Sequence, residues 1–237
     1  MSSAAGTGAP AREVAPPGPP RPGRGPVRAL VGWHVGIGEL GLRLFLLHLL
    51  MVLGILAGGI VLGLAPALAA VHTELRGDER RRRIEAQGEI GEEPPPLWRS
   101  FWTSWRAEFV RANLLGGVLA IGWALLLVDR TVLAQTGGAA TPWVSGVLVV
   151  LTVVLALVTA VVWPLAAHFS DPLPRILVMA PVLLVRRPVI TLGTVGVLAV
   201  TVMVWQAVPG LAPVFGVLLP CWAVTALCWR TGSLPTA

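Results

Sequence analysis

The chain has 237 residues, 55% of them hydrophobic and 13% charged, with a mean hydropathy of +0.76; an average soluble domain has roughly 45–50% apolar and about 25% charged residues. So little charged surface excludes a soluble globule and a disordered chain, and two cysteines exclude a secreted disulfide scaffold. The net charge of +6 comes from 18 Arg with no Lys, as GC-rich codons give; in a membrane protein surplus Arg sets topology, and no soluble basic stripe is present to bind nucleic acid. The composition predicts an all-α, multi-pass helical bundle whose first partner is the lipid bilayer of a bacterial cytoplasmic membrane.

Residues 1–35 read as a leader. Residues 1–28 form a Pro/Gly/Ala tract with four Arg and no apolar periodicity, a composition that builds no core and lacks the apolar region of a secretory signal. The single membrane domain is expected over 36–230, with a short tail at 231–237. Leu40–Val71 is apolar throughout, longer than the roughly 20 residues that cross a bilayer and shorter than two full spans. Gly54, Gly58, Gly59 and Gly63, then Pro66, occupy its second half. The expectation is one span over 42–63 and a break at Gly63-Leu64-Ala65-Pro66, because proline cannot donate to the helix ladder. A re-entrant hairpin is the alternative.

Residues 72–96 hold five Arg and seven acidic residues and end in three prolines, which predicts a polar loop. From Leu97 the spacing of Trp98, Phe101, Trp102, Trp105 and Phe109 puts five aromatic rings on one helical stripe, with Arg99, Arg106 and Glu108 mostly off it. Such a helix either lies at the headgroups or packs its stripe against another cytoplasmic segment. Four more spans come after it, at about 110–128, 144–169, 191–208 and 211–229. A helix of about 172–187 that need not cross is expected after Ser170-Asp171-Pro172, an N-cap followed by a first-turn proline. That makes five spans and one interfacial amphipathic helix. Arg near span ends favours the cytoplasm, so the 72–109 segment, the 170–190 segment and the C-terminus are expected inside. The four leader Arg oppose the outside N-terminus that five spans require, and the hairpin would remove the conflict.

The candidate chemistry is sparse. Glu39 and Arg43 lie one turn apart in acid-first order, with His48 further along; they either line a polar path or form an interfacial ion pair beside a lone packed histidine. His72 and His168 fall near span ends. Cys221 and Cys228, two turns apart in an apolar run, read as packing thiols. No zinc-protease, nucleophile-elbow or phosphate-loop motif occurs, so the expectation is no enzyme, no cofactor and no metal. The small-xxx-small spacing of Gly54, Gly58, Gly59 and Gly63 predicts a close helix–helix contact, within or between chains. The Arg80–Arg83 run is flanked by Asp78, Glu79 and Glu85, which favours a solvated face over an anionic-lipid site.

Two segments carry a resemblance. Gly-Leu-Ala-Pro-Ala-Leu-Ala-Ala at 63–70, followed by a charged stretch and Phe101-Trp102-Thr103-Ser104-Trp105-Arg106-Ala107-Glu108-Phe109, is similar to the YesL family, bacterial membrane proteins sharing a domain of unknown function 624. Trp105 stands where that family favours Phe, and Glu108 where it often has Asn. The resemblance implies an integral membrane protein over about 35–230. It also implies an association with carbohydrate uptake, with a sugar-transporter permease or a second copy as partner, and it brings no catalytic residue. A small transporter or channel in its own right is the rival expectation.

Overall fold

The computed structural model describes residues 26–89, 94–136, 141–211 and 216–231, with only the backbone of 26–37, 136 and 211. The expected tail from 232 and the leader before residue 26 lie outside the described residues. Every regular element among the described residues is helical: α1 Pro26–Ala57, α2 Val61–Ala86, α3 Leu97–Ala107, α4 Phe109–Thr136, α5 Thr141–His168, α6 Leu173–Arg186, α7 Pro188–Ala207, a 3₁₀ turn at Pro209–Leu211, and α8 Leu218–Arg230. By its contacts the chain divides into Met1–Glu39 and Leu40–Ala237, and the helix packing belongs to the second unit. Residues 26–35, which the composition assigns to the leader, are helical, with Pro26 at the start where its missing N–H is no loss.

Among the described residues four helices are long and apolar enough to cross a membrane: Gly38–Ala57, Phe109–Gln135, Thr141–His168 and Pro188–Ala207. The fifth expected span, 211–229, is not one helix. Pro209-Gly210 turns the chain in a 3₁₀ step, Gly216 lies in a second turn, and α8 has 13 residues, about 20 Å of rise against a hydrocarbon core of about 30 Å.

The first apolar stretch also departs from the expectation. The break falls at Gly58–Ile60 rather than at 63–66, and α1 and α2 form an antiparallel hairpin. Pro66 sits inside α2, five residues after its start at Val61, where it removes one ladder bond. Glycine makes the reversal possible. A Cβ on Gly58 would lie 2.2 Å from Gly63 Cα, and one on Gly63 would lie 2.3 Å from the Ile55 carbonyl oxygen, so the two backbones touch. Gly59 has φ +71° with open space around it. Its part is in the turn, not in helix packing. Ile60 comes next at φ 66°, ψ −67°, closed by the Val61 N–H donating to the Gly59 carbonyl at 2.8 Å, which is the strained form of γ-turn.

Nor are residues 72–86 a loop: α2 continues through them. Asp78 with Arg81, and Glu79 with Arg82 and Arg83, are spaced three and four apart along one helix. The helix stops at Gly88, φ +80°, with Gly88 N–H bonded to Glu85 and Glu89 N–H to Ile84, a Schellman ending.

Two packed cores result. One lies between α1, α2 and α3, around Leu44, Leu47, Met51, Val71, Leu75 and Phe101. The other joins α2, α4, α5, α6, α7 and α8 around Leu115, Val161, Trp163, Ile176, Ile190 and Val224. Gly116 lets α4 approach α2, since a Cβ there would stand 2.7 Å from that of Ala65. Helix α6 buries Ile176, Ala180 and Leu184, one turn apart, and leaves Arg175 and Val185 outside. Asp171 does not cap it; its carboxylate accepts from Arg175 at 2.9 Å.

Candidate functional site

Charged side chains from distant parts of the sequence gather at one end of the bundle. Arg43, near the start of the α1 crossing, turns across the hairpin to Asp78, Nε and Nη2 each donating to a carboxylate oxygen at 2.5 Å. Arg81 donates to the same carboxylate. Beside them Glu74 is buried, and Ser100 of α3 donates to its Oε1 at 2.5 Å. Burial pushes the Glu74 carboxyl above its ordinary value, against the Ser100 hydrogen bond and the Arg43 and Arg81 charges, which pull it down.

Three further arginines reach helix ends. Arg76 donates to the Ala167 carbonyl in the last turn of α5 at 2.7 Å, and Arg111 to the carbonyls of Phe169 at 2.8 Å and Asp171 at 3.2 Å, just beyond that helix. Arg83 donates to the Trp229 carbonyl in the last turn of α8 at 2.6 Å, with its guanidinium carbon 4.6 Å from the Trp229 ring centroid. The last carbonyls of a helix lack intrahelical partners and carry partial negative charge, so each guanidinium neutralises one helix end while tying it to α2 or α4. The Arg80–Arg83 run is thus divided between an ion-pair face and a helix clamp, with Arg80 exposed.

One turn inward from Arg76, His72 is 1% exposed and its Nδ1 lies 3.1 Å from Thr225 Oγ1 of α8. Among the described residues no three His, Cys, Asp or Glu side chains converge as metal ligands would. Cys221 and Cys228 are both free thiols, the second buried.

The candidates read from sequence fall in separate places. Gly54 receives α3: a Cβ there would stand 3.2 Å from the Trp105 ring and 3.3 Å from that of Phe101. Gly58 and Gly63 meet each other, Gly59 makes the turn, and Pro66 is buried in α2. Phe101 is completely buried, Trp102, Trp105 and Phe109 are half-buried, and Trp98 is 57% exposed. Successive rings meet edge to face, Trp98–Trp102 at 5.5 Å, Trp102–Trp105 at 5.4 Å and Trp105–Phe109 at 4.9 Å. The stripe therefore docks α3 on the hairpin and leaves Trp98 at its outer end. Glu39 is exposed, Arg43 is committed to Asp78, and His48 is buried on α1.

Asp78, Ser100, Thr225 and the helix-capping roles of Arg76, Arg83 and Arg111 were not found from sequence. The hairpin alternative held the signal for one of them. Arg43 and Asp78 lie at similar distances from the reversal, fourteen residues before Ala57 and seventeen after Val61, which places them side by side.

An all-α bundle with several membrane-length helices, built on a glycine-tight hairpin and an aromatic helix docked upon it, is the class this architecture defines, and residues 44–130 match the family model "Protein of unknown function, DUF624". That stretch takes in both segments, 63–70 and 101–109, that carry the resemblance to the YesL family. The chain is 29% identical over 161 residues to "Uncharacterized protein YesL" of Bacillus subtilis (strain 168), covering 66% of this chain and 71% of that protein. It is also 33% identical over 69 residues to "Uncharacterized protein YteU" of the same organism, covering 29% of this chain and 27% of that one. No solved structure matches.

Proposed function

We propose that this protein is a non-catalytic accessory of the bacterial cytoplasmic membrane, which acts by holding another membrane protein, a carbohydrate-uptake permease, at its charged end. The observation behind this reading is the extension of α2 beyond its apolar half, Val61–Val71. That extension is fixed by Arg43 through Asp78, by Ser100 through Glu74, and by the Arg76 and Arg83 clamps. It offers a partner a rigid charged surface with Arg80 and Gln87 outermost. The concentration of Arg at this end supports placing it, with the end of α8, in the cytoplasm. The sugar permease as partner rests on the family resemblance.

The test places a photocross-linking amino acid at Arg80 or Gln87 in cells that express such a permease. A cross-linked permease is the expected product. Cross-links to a second copy alone would replace the partner with self-association. Sugar flux through vesicles containing only this protein would replace the accessory role with transport.

A further inference from the structure

Between α4 and α7, backed by α2, α5 and α8, lies a recess of about 290 Å³ reaching His72, Trp123, Thr159, Trp163, Thr201 and Trp205. Two further recesses border it. A recess of about 560 Å³ shares Trp123, Thr159 and Trp163 with it, and one of about 410 Å³ shares Thr201 and Trp205. The central recess alone, about 290 Å³, stands at the lower end of the range of small-molecule sites, roughly 300–1,000 Å³. Its rim is on the outside of the bundle, where Val202 and Val217 are exposed, so it continues the apolar surface that α7 turns to the bilayer.

We propose that this cleft binds one uncharged, single-chain amphiphile from the bilayer, with its hydrocarbon among Trp123, Trp163 and Trp205 and its single hydroxyl or carbonyl group at His72. The chain length is set by the depth. The lining runs from Ala156 to Trp163 on α5 and from Val217, just before α8, to Val224, two turns each, or about 10 Å. The polar end is set by His72, a buried side chain at the inner wall whose Nδ1 is engaged by Thr225. Nε2 is then the ring nitrogen left for an occupant, as donor or acceptor according to tautomer. The lining contains no Arg, Asp or Glu, which requires an uncharged ligand, because an ionised head group would be buried there unpaired. Orientation comes from Arg76, one turn from His72 and bonded to Ala167 at the charged end. The ligand's polar group therefore lies toward that end and its chain runs away from it. This inference is independent of the accessory role proposed above.

The experiment uses the full chain in phosphatidylcholine vesicles with a diazirine-bearing hexadecanol as probe, with photolysis and then peptide mapping. Adducts should concentrate on the cleft residues and fall about ten-fold or more with excess unlabelled hexadecanol, an arm that needs no variant. Ala160→Trp, which fills the recess, should remove them. His72→Phe should reduce them about five-fold, the loss of one hydrogen bond. Adducts spread evenly over exposed positions such as Val118 and Val147, without competition, would show an ordinary lipid annulus and overturn the site. Labelling unchanged by His72→Phe would overturn the assignment of the polar end. A disulfide between copies carrying Val202→Cys that blocks labelling would give the cleft to a second chain.

Discussion

At the scale of single residues, the apex of the hairpin stores strain beside a close contact, and the two respond oppositely to substitution. A β-branched residue held at positive φ costs about 1–3 kcal/mol, and glycine loses about 0.4–1 kcal/mol more backbone freedom on folding. Ile60→Gly should therefore raise stability by about 1 kcal/mol in a thermal unfolding series in detergent. Gly63→Ala, whose Cβ would meet the Ile55 carbonyl at 2.3 Å, should lower it by about 1–3 kcal/mol, as overpacking does. Val61→Ala, at an 80% exposed position, should change little. Equal responses at Gly63 and Val61 would mean the helices do not touch there. Glu74 supplies a pH dependence. Its folded value is raised, chiefly by burial, so the folded state holds that proton more tightly than the unfolded chain does. The contribution is fully present below the ordinary value of 4.5 and is lost as pH rises from there through the raised value. Glu74→Gln keeps an acceptor for Ser100 and cannot ionise. Its stability relative to the parent should improve as pH rises from about 4.5 toward neutrality, whereas a pH-independent difference would place the carboxylate in a solvated setting.

At the scale of elements, α3 buries one ring completely. Phe101 is fully buried between α1 and α2, and Phe101→Ala should cost roughly 3–5 kcal/mol and speed proteolysis between Gly88 and Leu97. Cleavage at the parental rate would mean the aromatic ladder holds α3 without that anchor. The position of α3 was legible in sequence, because five aromatic residues at helical spacing define a stripe whatever it meets. What it meets was not legible, since nothing local says that Gly54, about fifty residues earlier, leaves space for Trp105. The same limit explains α2. Arg and Glu at three- and four-residue spacing are helix formers as much as loop formers, and only the Schellman turn at Gly88 shows where that helix stops. The hairpin is half legible: the glycine spacing is a packing signal, but Pro66 is the more obvious breaker. A proline near a helix start breaks nothing, while two consecutive positive φ angles at Gly59 and Ile60 reverse the chain. The polar cluster was the least legible part, because its partners are up to 153 residues apart.

For the whole molecule, the arginine contacts predict topology. Gly88 lies just beyond α2, and α2 is tied to the end of α8 through Arg83 and Trp229. Reporter fusions at Gly88 and Ala237 should therefore signal from the same side of the membrane. A cysteine replacing Val61, at the hairpin apex, should react with a membrane-impermeant thiol reagent only from the other side. Labelling of Val61→Cys from the side of Gly88 would return the first apolar stretch to a re-entrant or single-pass arrangement. The clamps also impose an order in time. Each guanidinium is synthesised well before the carbonyl that receives it: Arg111 waits 58 residues for Phe169, Arg76 waits 91 for Ala167, and Arg83 waits 146 for Trp229. The α1–α2 hairpin can enter the bilayer early, but its charged extension has no final seat until α5 and then α8 have left the ribosome. Assembly therefore closes from the last helix backward onto the first pair. A ribosome stalled before Trp229 would leave a membrane-inserted chain whose earliest helices are still waiting to be locked.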